Sequence, residues 1–322
     1  LTLPNTRSYA KKMTKLLDFH FIGGNRGRAA SSLQRLYPNY SAKRRILKTI
    51  NALNQYGPRV SPPSMKQLEC VHRYLPPLET NESRAFLLHK IDQNGRAYIF
   101  DYCPDGGLVA VTKVATNLTT AKGINHEAIV LNSIAGRVRF QIPTILSFDT
   151  WESGCALRVS ATNETHVARN KLEGMPESVF QAVEELRPDS SPSTLPAHSF
   201  ESFMALRKHI RTKAIGEVAG EIHPNQMFEV TAAHQDLGSE NVFSSPGAQD
   251  ANDFTIIDWE LFSAAAPAMT DRVGIWLGAR HRAFKSTFKV KVDQLAAEFL
   301  SEFSRVPGGN QAAVMALLNL AD

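Results

Sequence analysis

Two stretches of the 322-residue chain set carboxylates and an amide at spacings suited to phosphate chemistry. The first, His234-Gln235-Asp236-Leu237-Gly238-Ser239-Glu240-Asn241, has the pattern H-x-D-L-x-x-x-N. After a turn-rich Ser244-Ser245-Pro246-Gly247, the apolar Phe254-Thr255-Ile256-Ile257 ends in Asp258-Trp259-Glu260. Phosphoryl transfer needs one carboxylate to orient an acceptor hydroxyl and take its proton. It also needs a second carboxylate and an amide oxygen to hold Mg²⁺ against nucleotide phosphates. Asp236 and Asn241, on one tight loop, can face the same cavity, and Asp258 can meet Asn241 across the hairpin.

Phe228–Ala233 leads into the first stretch, and the elements upstream have to supply a cation. Phe86–Ile91 reads as a strand, Asp92-Gln93-Asn94-Gly95 as a turn and Ala97–Tyr102 as a second strand. Pro104-Asp105-Gly106-Gly107 is another tight turn, and Leu108–Ala115 a third, Val-rich strand. Lys113 shares a strand face with Val111 and Val109, and a Lys aimed at a covered face needs a partner. Glu127, near the start of an amphipathic helix over Gly123–Ile134, is on offer. A strand Lys held by a helix Glu can place positive charge on donor phosphates. Ile142–Phe148 and Ala156–Ala161 read as two more strands, completing a five-stranded sheet with one helix. Helices over roughly Pro267–Arg282, Val290–Ser304 and Gln311–Leu320 follow the second stretch.

On these residues the sequence resembles the aminoglycoside phosphotransferase and choline kinase group, over roughly residues 84–290. Ala233–Val242 is similar to that family's catalytic loop, where a Gly commonly stands at the position of Gln235, and Ile256–Glu260 to its metal-binding strand end. The resemblance implies an α+β, bilobal protein-kinase-like fold. A small antiparallel five-stranded N-lobe with one helix would span 81–162, and a larger, mostly helical C-lobe 163–322. It implies Asp236 as catalytic base, Asn241 and Asp258 as Mg²⁺ ligands, and Lys113 at the α- and β-phosphates with Glu127 positioning it. His234 would brace the loop. ATP or GTP would give its γ-phosphate to a hydroxyl of a small molecule such as an aminoglycoside, an amino alcohol or a sugar, bound in the C-lobe.

The chain departs from the wider fold in two places. No G-x-G-x-x-G lies between the first two strands, so backbone amides around Asn94 and Gly95 would have to cover the phosphates. Trp259-Glu260 follows Asp258 where protein kinases have Phe-Gly, and no long activation segment or Ala-Pro-Glu comes after. The second departure favours a small acceptor over a protein. The rival readings are a catalytically silent kinase-like scaffold and an atypical protein kinase.

Charge divides the chain. Residues 1–80 carry 14 Lys+Arg against 3 Asp+Glu, residues 81–173 are nearly balanced, and residues 174–322 hold an excess of seven acids. The first segment is expected to be a basic helical extension, with helices over Thr6–Phe21 and Ala42–Tyr56 and a Pro-rich linker after them. Its runs Arg26-Gly27-Arg28 and Lys43-Arg44-Arg45 could meet an anionic partner, or form a solvated face. Charge alone does not carry a nucleic-acid claim. Gly23-Gly24-Asn25-Arg26-Gly27 lacks dinucleotide-binding register and reads as a turn. An acidic C-lobe suits a cationic acceptor, whereas Arg280-His281-Arg282, if turned inward, would favour an anionic one. Three well-separated cysteines (Cys70, Cys103, Cys155), no apolar run long enough to span a bilayer and no signal pattern in Leu-Thr-Leu-Pro lead to the expectation of a soluble, cytoplasmic protein.

Overall fold

The computed structural model describes residues 14–16, 19–23, 76–77, 82–87, 95–162, 165–166, 174–238, 240–245, 247–284, 289–305 and 308–320. In chain order come β1 (Thr14–Leu16), β2 (Phe19–Gly23), β3 (Ser83–Leu87), β4 (Arg96–Tyr102), β5 (Leu108–Ala115), α1 (Leu118–Ile134), β6 (Ile145–Trp151), β7 (Gly154–Ser160) and β8 (Thr165–His166). These are followed by α2 (Glu177–Glu184), β9 (Thr194–Pro196), α3 (Glu201–Leu206), α4 (Lys213–Glu221), β10 (Met227–Ala233), β11 (Val242–Ser244), β12 (Phe254–Ile256) and β13 (Ser263–Pro267). The long helices α5 (Thr270–Phe284), α6 (Lys289–Phe303) and α7 (Gly309–Asn319) complete the chain.

The five expected strands pair antiparallel in the order β3-β4-β5-β7-β6, with α1 packed on them. Cys103 and Gly107 close the β4–β5 turn backbone to backbone, with Gly106 at φ +88°. Asn117 starts α1 earlier than the apolar spacing indicated, because its side chain accepts from Thr120 N at 2.9 Å and caps the helix.

One expectation needs correcting. A helix was expected over Thr6–Phe21, but residues 14–16 and 19–23 are strands, and they extend the sheet to seven as β1-β2-β3. Phe19-His20-Phe21-Ile22 is rich in residues that suit a pleated strand, and the edge of β3 offers backbone partners that local helix spacing cannot foresee. The segment 42–56, also expected to be helical, lies outside the described residues.

Two apolar cores support the site. One joins α1, β7 and α2 to Leu237, Val242, Ile256 and Trp259; the other lies among α3 to α7 and β10. Gln141 connects the first half of the chain to the second by bonding Phe254 O and Ile256 N of β12. Two small sheets, β13-β10-β9 and β12-β11-β8, deliver the loop 234–241 and Asp258 to the same place.

Candidate active site

Lys113 and Glu127 are brought together by the sheet and its helix. Glu127 stands on the buried stripe of α1 between Ile124 and Leu131, so its carboxylate faces β5 rather than water. Lys113 Nζ donates to Glu127 Oε2 at 2.6 Å, to Asp258 Oδ1 at 2.6 Å and to Glu260 Oε1 at 3.2 Å. Burial opposes the charge on Lys113, but the three carboxylates outweigh it and hold the pKa above its usual value. Burial pushes Glu127 up, and Lys113 resists that shift. Asp258 lies below the ordinary carboxylate range: burial would raise it, and the Lys113 ammonium overrides burial.

Asp236 and Asn241 meet as their spacing implied. Asn241 Nδ2 donates to Asp236 O at 2.9 Å and to Asp236 Oδ2 at 2.8 Å. With Nδ2 so engaged, Oδ1 is the amide atom left to act as a ligand. Burial pushes the Asp236 carboxyl up, the Asn241 bond pulls it down, and the charges of Asp258, Glu240 and Glu260 raise it further. A backbone bond from Ile257 N to Asn241 O, 3.0 Å, sets Asn241 beside the residue that precedes Asp258.

His234 ties the loop to that strand end. Its Nε2 is 2.9 Å from Ile257 O and its Nδ1 accepts from Asp236 N at 3.3 Å, which assigns the proton to Nε2. Burial pushes its pKa down to about 4, so the ring is neutral. Trp259, fully buried, meets the His234 ring edge-on at 4.7 Å and stacks on Phe140 at 5.7 Å. Gln235 has φ +67°, a left-handed backbone that favours glycine.

Asp271 and Arg96 escaped the sequence reading, and Glu260 was read only as an acid at the strand end. Asp271, at the start of α5, accepts from His234 N and Gln235 N, each at 2.8 Å, and so fixes the backbone of the loop. In sequence it looks like an ordinary acid in a first helical turn. Glu260 holds Lys113 and also Arg96, whose Nη2 lies 2.7 Å from Glu260 Oε2. Nothing local marks these roles.

Gly95 is buried at φ +66°; its carbonyl accepts from Thr116 N and Oγ1, and a Cβ would lie 1.9 Å from Asn117 Nδ2. Packing alone therefore requires a glycine there. Asn94 lies outside the described residues. Arg280 stacks over Trp276, 4.1 Å from its centroid, and pairs with Glu298 at 4.0 Å, so it serves helix packing.

No family model matches the sequence, and no curated protein matches it. Among solved structures, it is similar to an aminoglycoside-3'-phosphotransferase of type VIII (14% identity, 79% of this chain and 97% of that one, TM-score 0.46). It is also similar to the aminoglycoside phosphotransferase APH(3'')-Id from Streptomyces rimosus (15% identity, 69% and 89%, TM-score 0.42). A third is an APH(2") enzyme solved with GDP and kanamycin (12% identity, 70% and 88%, TM-score 0.43). The chain has an α+β fold, an antiparallel sheet with one helix packed on it followed by a largely helical region. At this degree of likeness, what the site can do has to come from its own residues. No helix among the described residues is long and apolar enough to cross a membrane.

Proposed function

We propose that the protein transfers the γ-phosphate of a nucleotide, ATP or GTP, to a hydroxyl of a small molecule. The observation that carries this reading is the junction of Lys113, Glu127 and Asp258 beside the Asp236–Asn241 pair. Residues 81–162 would bind the donor, and residues 163–322 would carry the catalytic loop and the acceptor site. Asp236 orients the acceptor hydroxyl and takes its proton; its upward-shifted carboxyl is a better base than a free one. Lys113, steadied by Glu127, meets the α- and β-phosphates.

The donor set fits Mg²⁺. Asp258 and Asn241 offer hard oxygens from adjoining strand ends, while the carboxylates of Glu127, Asp258 and Glu260, within 4.8 Å of one another, converge on the Lys113 ammonium. When bound, the ion neutralises charge on the transferring phosphoryl group. The Lys113–Asp258 bond keeps that carboxylate ionised and ready.

The acceptor class follows from charge. Glu240 flanks the loop in the acidic part of the chain, which favours a cationic acceptor such as an amino sugar or amino alcohol, whereas Glu260 is taken up by Lys113 and Arg96. The test is thermal stabilisation by ATP and GTP, with and without Mg²⁺. A Mg²⁺-dependent rise in melting temperature that Asp258→Asn abolishes is expected. No shift with either nucleotide would overturn the reading.

A further inference from the structure

The chain lacks a glycine-rich phosphate loop, yet a second cation stands where that loop would end. Arg96 directly follows Gly95, and in the β4–β5 register Tyr98 lies opposite Lys113 and Arg96 opposite Ala115. Paired residues of an antiparallel ladder project to one face, so Arg96, Tyr98 and Lys113 rise from the same side of the sheet. Tyr98 steadies the guanidinium by accepting from Arg96 Nη1 at 3.0 Å.

Glu260 divides its carboxylate between the two cations. Oε2 takes Arg96 at 2.7 Å, and Oε1 takes Lys113 at 3.2 Å. Glu260 also packs closely on α1: a Cβ on Gly123 would lie 2.9 Å from Glu260 Oε2, so a side chain there would press that oxygen out of its present position. Two oxygens on one centre, bridging an Arg and a Lys, are also what a phosphate group presents.

Resting on the phosphotransferase reading above, we propose that Arg96 is a second ligand for the donor's phosphates. Glu260 is the placeholder anion that keeps Arg96 and Lys113 together until a phosphate displaces it. Charge supports the exchange. Lys113 and Arg96 face three carboxylates, Glu127, Asp258 and Glu260. An incoming phosphate is repelled while Glu260 fills the gap, and is welcomed once it leaves. Lys113 keeps Glu127 and Asp258 throughout, whereas Arg96 exchanges its carboxylate for a phosphate.

The test is calorimetric titration of the full chain with ADP and GDP plus Mg²⁺, and with adenosine and guanosine, which lack phosphates. Arg96→Met is expected to weaken diphosphate binding by about 10–100-fold, as loss of a charge-assisted bidentate contact does, and to leave nucleoside binding unchanged. Arg96→Lys should lose less, with the same selectivity for the diphosphate, and it keeps the test alive if the Met variant fails to fold. Glu260→Gln should tighten diphosphate binding, because a neutral amide competes poorly for two cations. Equal weakening of nucleoside and diphosphate, or no weakening of either, would make Arg96 a structural residue and overturn the proposal. Weaker diphosphate binding by Glu260→Gln would overturn the placeholder role. A wild-type protein that binds none of the four ligands would instead remove the phosphotransferase reading beneath it.

Discussion

Asp258 Oδ1 lies 2.6 Å from Lys113 Nζ, although 145 positions separate the two residues in the chain. β5 supplies the ammonium and the end of β12 the carboxylate, where the backbone turns left-handed at Asp258 with φ +68°. The ammonium and the carboxylate thus hold each other in place.

Removing that cation should expose a buried acid. Lys113→Met leaves Glu127, 1% exposed, without its counter-ion, and breaking a buried pair costs about 3–5 kcal/mol. Glu127 is already pushed up by burial, and without Lys113 it rises further. A raised folded-state carboxyl pKa costs stability progressively as pH climbs from the unfolded value to the folded one, so the loss should shrink as pH falls through that window. Urea denaturation at pH 8 and pH 6 checks this, and adding Glu127→Gln should restore most of the loss.

Asp236→Asn should lower kcat by about 100- to 10,000-fold, the usual range for loss of a general base. Nucleotide affinity should change little, since Asp236 bonds Asn241 rather than Lys113. Steady-state kinetics together with nucleotide titration separate the two effects. Undiminished turnover would remove Asp236 from the mechanism.

His234 and Asp271 should respond to acid in opposite directions. His234 falls from 6.5 to about 4, so the unfolded chain takes up its proton first and stability drops as pH falls from 6.5 to 4. Asp271 rises from 3.8 to about 6 through burial, so the folded chain takes up its proton first and stability is gained as pH falls over that window. The two slopes, each about 1.4 kcal/mol per pH unit, largely cancel between pH 6 and 4. Asp271→Asn removes the compensating one. Its denaturation midpoint should therefore fall more steeply with acidification than that of the wild type.

The far side of the sheet offers a stability test away from the site. Asp101 accepts from both Arg84 and Arg158, and Arg84 is buried. Asp101→Ala leaves the buried Arg84 guanidinium without its carboxylate, though still bonded to Pro76 O, and should cost about 3–5 kcal/mol. Thermal melting read by circular dichroism measures it, and a loss under about 1 kcal/mol would mean that the pair is solvated.

The meeting of Asp236, Asn241 and the strand end at Asp258 was legible because these residues stand at short separations, which one turn and one hairpin bring together. Lys113 and Glu127 were legible for another reason: a Lys on an apolar strand and a Glu on an apolar helix face each need a partner. Arg96 and Glu260, 164 residues apart, carried no such mark. Asp271 looked like a helix-start acid, and its bonds to the backbone of residues 234 and 235 arise only from where α5 docks.

From sequence alone came the strand meander, the helix that carries Glu127 and the residue types around the loop, since alternation, turn residues and helical spacing are local properties. Tertiary structure decided the rest. It made strands of residues 14–16 and 19–23, because an open sheet edge outweighs a weak helical pattern. It set Lys113 among three carboxylates and Glu260 between two cations, because charges far apart in sequence find one another only once burial leaves them no water.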